Sequence, residues 1–206
     1  MQPLASGVPG VDQIVGGGLL PGTCVLVEGV TGSGKTTLGI QVAAARARAG
    51  DRVAVVLFEE LPGNVVRDAA AFGWDLKALE REDRLLLLCT SPDILWEQLT
   101  SGHGPLGSRL AEGDLGLVFV DSISHLHERT ASDTEARPAV YSLMSGLKRA
   151  GVTSLLTKEL PSSDPQIVPF EEYLADAVWR LSYETGEDQR RHRYFEVLKS
   201  RGTGHV

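Results

Sequence analysis

Short apolar runs at residues 23–28, 52–58, 84–89, 115–121 and 152–157 punctuate the chain. They are built mainly from Val, Leu and Phe with little polar interruption. Runs of this kind predict strands covered on both faces, as in a parallel sheet. Between them, apolar residues return at helical spacing. Val140, Leu143, Met144 and Leu147 mark a helix over 134–150 that Gly151 closes. Shorter helices are predicted over 37–49, 64–72, 76–81 and 106–112. Another starts near Ser91 and Pro92 and carries Ile94, Leu95, Trp96 and Leu99, with Trp96 expected as a core anchor. Residues 160–170, with Pro161, Pro165 and Pro169, read as a loop. Near the C-terminus a strand over 177–183 and a partly alternating stretch over 190–198 flank a polar turn, which predicts an antiparallel hairpin. Its cations Arg190, Arg191 and Arg193 read as a solvated arm balancing Glu184, Glu187 and Asp188. The fold expected is α/β, with a mostly parallel central sheet flanked by helices and a C-terminal β-hairpin.

Length and charge narrow this picture. At 206 residues the chain is expected to form a single domain over 1–206. Its 20 Lys and Arg against 27 Asp and Glu leave a net charge of −7, which gives no global attraction to nucleic acid or an anionic membrane. Cys24 and Cys89 both lie in apolar runs and read as reduced thiols of an intracellular protein. No stretch approaches the roughly 18 apolar residues of a membrane span, and the first residues do not resemble a signal peptide. The expected location is the cytoplasm.

Chemistry enters at residues 29–36. Gly29, Gly34, Lys35 and Thr36 fill every fixed position of the pattern G-x-x-x-x-G-K-[ST], with Val30, Thr31, Gly32 and Ser33 between them. A predicted strand precedes this stretch, and a helix carrying Thr37 in its first turn follows it. In that context backbone amides of the loop converge on the β- and γ-phosphates of a nucleotide. Lys35 adds a point charge there, and the Thr36 hydroxyl ligates Mg²⁺. The run 115–121 ends in Asp121, the acidic strand end expected on the magnesium side. The run 52–58 leads into Glu59 and Glu60, which read either as a general base beside the γ-phosphate or as two solvated loop glutamates. Thr157 ends another strand; its hydroxyl either meets the γ-phosphate or merely terminates the strand. The glycine-rich residues 6–22 read either as an ordinary N-terminal loop or as a segment closing over the nucleotide side. His125 and His127 are two apart, so on a helix they face different directions, and no metal site is predicted there. Residues 199–205 read as a polar, basic tail.

Together these pieces resemble the ATPase domain of the circadian clock protein KaiC and its relatives, within the RecA-like superfamily of P-loop NTPases. The resemblance rests on residues 6–12 with Gly16, Gly17 and Gly18, the phosphate loop, and Phe58, Glu59 and Glu60. It continues through Phe72, Gly73 and Trp74, then Val120, Asp121 and Ser122, and residues 156–159, 173–176 and 198–205. It implies hexameric rings with ATP held between adjacent subunits. It implies that Glu59 is the general base with Glu60 beside it, and that Thr157 senses the γ-phosphate. It also implies that Lys199 and Arg201 reach into the neighbouring subunit's site, with Thr203 and His205 on the same nucleotide-contacting tail. KaiC carries two such domains in tandem, whereas one is seen here. The positions matching the phosphorylated Ser-Thr pair of its second domain are Glu172 and Tyr173, so neither Ser/Thr autokinase activity nor a clock role is expected.

The expected activity is therefore slow, Mg²⁺-dependent ATP hydrolysis by a homohexameric ring with a regulatory role, its signalling partner unknown. Two other readings stand beside it. A DNA-dependent RecA-like ATPase is disfavoured by the acidic total and by the lack of basic–aromatic interleaving in the loops. An ATP-gated interaction module that does not hydrolyse shares the same loop.

Overall fold

The computed structural model of the protein describes residues 2–58, 60–128, 133–160 and 170–202, with the side chains of all of these except 127, 128 and 133–136. The chain opens with a helical turn, α1 (Val11–Ile14), followed by β1 (Cys24–Gly29), α2 (Lys35–Arg48) and β2 (Arg52–Leu57). Next come α3 (Pro62–Ala71), α4 (Leu76–Arg81), β3 (Leu85–Cys89), α5 (Pro92–Ser101) and α6 (Gly104–Glu112). The remainder is β4 (Leu115–Asp121), α7 (Ser124–Glu128), α8 (Asp133–Arg149), β5 (Thr153–Glu159), α9 (Phe170–Leu174), β6 (Ala177–Thr185) and β7 (Arg191–Ser200).

The strands form one seven-stranded sheet in the order β3-β2-β4-β5-β1-β6-β7. All neighbours are parallel except β6 and β7, which pair antiparallel as the expected hairpin. Alternate residues of the parallel strands β1 to β6 enter opposite cores. Val25, Val27, Val53, Val55 and Leu57 pack with α2, α3 and α4, while Cys24, Leu26, Ala54 and Val56 pack with residues of α5, α6 and α8. With both faces covered, the strands have no polar face to show, and this explains the unbroken apolar runs. Helix α2 lies close against β4, because a Cβ on Gly39 would fall 2.0 Å from the Phe119 ring.

Trp96 is not a core anchor. It is 41% exposed, whereas Leu95 and Gln98 face inward. A turn of about 100° per residue carries position 96 away from the 95/98 stripe. Buried Gln98 is useful there: its Oε1 accepts from Leu106 N at 2.8 Å and so links α5 to the start of α6.

The proline-rich stretch predicted as a loop falls largely on residues 161–169, outside the described residues.

Candidate nucleotide site

The phosphate loop leaves the carboxyl end of β1, near the middle of the sheet. A Cβ on Gly29 would lie 2.3 Å from Leu181 O and 2.7 Å from Ser33 Oγ, so the loop can start its turn here only on glycine. Gly34, at φ 106°, precedes α2 with no side-chain cap, which leaves the first amides of a 14-residue helix free for an anion. Ser33 is 2% exposed, and its Oγ has no hydrogen-bond partner among the described residues. The buried Lys35 Nζ donates to Gly29 O at 2.9 Å and Val30 O at 3.1 Å, and Glu159 Oε1 lies 3.5 Å away. A buried ammonium, uncapped amides and an orphaned hydroxyl form a donor set suited to a polyphosphate.

Strand order brings the other groups to this loop. Leu57 pairs with Asp121, Val120 with Leu156, and Thr157 with Val27, so one row runs from β2 through β4 and β5 to β1. The buried Thr157 hydroxyl donates to Asp121 Oδ1. Thr157 therefore sits beneath Asp121 instead of on the cavity wall. Above the row opens a cavity of about 420 Å³, within the range of small-molecule sites. Thr31, Gly32, Gly34, Lys35, Thr36 and Thr37 line its floor, and Asp121 with Ser122 closes the β4 side. Thr36 and Asp121 are hard oxygen donors of the kind magnesium takes. Glu60, exposed at the end of β2, lines the same cavity. Glu59 lies outside the described residues, as do Thr203 and His205.

The hairpin supplies a group that the solvated-arm reading missed. Arg193 lines the cavity from β7, carried there by its pairing with Tyr183 on β6. Arg193 is exposed like its neighbours Arg190 and Arg191, and only the non-local pairing places it at the cavity. Residues 6–22 do not close over the site: none of them lines this cavity. They pack instead along α2, where Gln41 Nε2 donates to Gly7 O at 3.3 Å, and Leu19 and Leu20 lie near Arg201.

Lys199 and Arg201 lie at the other end of the sheet. Gly29 is level with Leu181, while Ser200 pairs with Ala177, which is level with Val25. At about 3.3 Å per strand residue, that end of β7 lies about 13 Å from Gly29 along the strands, and β7 is two strands to the side of β1. The β6–β7 register shifts between Val178 and Trp179: Trp179 pairs with Val197 but Val178 with Lys199, so Leu198 is the extra residue of a bulge. This turns Lys199 away from the Phe195 and Val197 face and toward α9. There its Nζ donates to Glu172 O at 2.6 Å and Tyr173 O at 3.4 Å. Partial burial, with Arg201 nearby, holds its ammonium below the usual lysine range.

Charges also link β1 to α9 just below the loop. Glu28 is fully buried and pairs with Arg180, and Glu171 with Lys158. Glu172 Oε1 is 4.0 Å from Arg180. Burial first, then the neighbouring Glu28, raises the Glu172 carboxyl above the usual glutamate range.

A family model described as the KaiC ATPase matches residues 4–206. The chain belongs to the KaiC family. It is 32% identical over its whole length to a circadian clock oscillator protein KaiC from Picosynechococcus, of which it covers 42%. It is 29% identical to the circadian clock protein KaiC3 from Synechocystis, again covering 42%. The chain thus spans about two-fifths of the length of these curated relatives. A crystal structure of a KaiC-like protein from the hyperthermophilic archaeon Pyrococcus horikoshii superposes with a TM-score of 0.85 at 28% identity, covering 99% of this chain and 91% of that one. The sheet and its flanking helices have the RecA-type fold, extended by the antiparallel hairpin. Among the described residues no helix is long and apolar enough to cross a membrane.

Proposed function

We propose that this chain binds ATP with Mg²⁺ and hydrolyses it slowly, at sites shared between neighbouring copies in a ring. The observation that carries the reading is the convergence of Lys35, Thr36 and Asp121 on one cavity at the carboxyl ends of adjacent strands. In this mechanism the loop amides and Lys35 hold the β- and γ-phosphates, with Arg193 adding a cation from the hairpin. Thr36 and Asp121 would hold magnesium, which supplies charge neutralisation on those phosphates. Thr157 fixes the Asp121 carboxylate through its hydrogen bond. Glu59, with Glu60 beside it, takes the proton of the attacking water.

The cations at the far end of the sheet cannot serve their own loop. Lys199 and Arg201, on a tail shared with Thr203 and His205, are assigned to the γ-phosphate of the next copy, where they neutralise charge as the phosphoryl group transfers. The partner is therefore a second copy of the chain. The test is light scattering with and without ATP and Mg²⁺ while phosphate release is followed, on wild type and Arg201→Ala. Wild type is expected to assemble and hydrolyse, and the variant to lose turnover by up to about 10³-fold, the low end of what a trans arginine supplies in other phosphoryl-transfer enzymes. A monomeric wild type that hydrolyses as fast as the variant would sink the shared site.

A further inference from the structure

Helix α7 follows β4 directly and is tied to both strands under the cavity. Ser124 N donates to Ser122 Oγ at 3.0 Å, His125 N to Ser122 O at 3.3 Å, and Ile123 N to Thr157 O at 2.9 Å. On its other side Ser124 Oγ accepts from Glu159 N at 2.9 Å. These bonds fix the origin of the His125 side chain relative to Asp121 and Thr157. The imidazole then lines the cavity that holds Lys35, Thr36, Asp121 and Glu60. Its ring packs against Phe58, with centroids 5.9 Å apart and planes crossing at 74°. Phe58 is the residue before Glu59, so His125 stands on the β2–β4 side of the cavity.

That side is poor in cationic donors. Glu60, Asp121 and Glu159 bring three carboxylates to the lining, against Lys35 on the loop and Arg193 on the hairpin. Lys35 reaches the cavity from the loop, where its Nζ also donates to Gly29 O and Val30 O. The hydroxyl oxygens of Ser122 and Ser124 each accept from a backbone amide, and both side chains are short. An imidazole N–H is long enough to reach past them, and it can donate to a phosphate oxygen without adding a fixed charge beside the magnesium side.

We infer that His125 donates a hydrogen bond to the terminal phosphoryl group of the bound nucleotide, and so separates triphosphate from diphosphate. The inference rests on the ATP reading above. Phe58 fixes the imidazole plane, and α7 couples its position to the strand end that carries Asp121. The interaction exists only while the third phosphate is present.

The test compares wild type, His125→Ala and His125→Gln by titration with ATP–Mg²⁺ and with ADP–Mg²⁺, alongside turnover and thermal unfolding. The Ala variant is expected to lose about ten-fold in ATP affinity, the scale of one charge-assisted hydrogen bond, with ADP affinity unchanged. Gln keeps a neutral N–H donor and should recover most of the ATP preference. Equal losses for ATP and ADP, or a wild-type ATP-to-ADP ratio in the Ala variant, would overturn the role of His125 while leaving the ATP reading intact. A wild type that binds neither nucleotide would overturn both.

Discussion

Single residues differ in how much of their role a sequence can show. The loop positions from Gly29 to Thr36 were legible because their types are dictated locally. Gly34 needs a positive φ, and Gly29 faces a carbonyl where a Cβ would stand. Thr157 was ambiguous because its meaning depends on β5 lying between β1 and β4, which no local pattern encodes. Arg193 is exposed, as a solvated arm requires, but its place beside the cavity depends in the same way on a pairing that no local pattern encodes. Glu172 shows what burial adds to an unremarkable acidic pair. Its carboxyl titrates above the unfolded value, so its contribution to stability is full below the usual glutamate pKa of about 4.3 and is lost as pH rises through the raised native value. Glu172→Gln, neutral at every pH, is therefore expected to be more stable than wild type at pH 7 and to match it below about pH 4. Urea unfolding at a series of pH values measures the gap; a gap that does not change with pH would refute this account.

At the scale of elements, the strands and their covering helices followed directly from apolar runs and helical spacing. Two features escaped because they are set by contacts between elements. Trp96 turned outward once Leu95 and Gln98 had chosen the buried face of α5. The bulge at Leu198 reverses the facing of Lys199, and nothing in the alternation of residues 190–198 announces it. Closeness between α2 and β4 is likewise a property of the pair. Gly39→Ala would set a methyl into the Phe119 ring, and the cost expected is about 1–3 kcal/mol, as for other overpacked cores. Thermal or chemical unfolding gives the figure, and Phe119→Leu in the same chain should recover part of it. A neutral Gly39→Ala would mean that the helix can lift from the sheet at little cost.

For the whole molecule, the decisive property is that the phosphate loop and the Lys199–Arg201 segment occupy opposite ends of one sheet. Composition carried no hint of this; the register of β6 against β7 does. If the site is shared, two defective chains should complement each other. Lys35→Ala lacks a working loop, and Arg201→Ala lacks the cation for its neighbour. With random mixing of equal amounts, about a quarter of the contacts join an intact loop to an intact Arg201, so about a quarter of wild-type hydrolysis should return. Phosphate release from the mixture, against each variant alone, decides the matter, and no recovery would place every catalytic group within one chain. A shared site would also give the molecule a direction, because each copy would then offer a head to one neighbour and a tail to the other. An open row of such copies always keeps one unfinished site at its end, however long it grows. Only a closed circle leaves none.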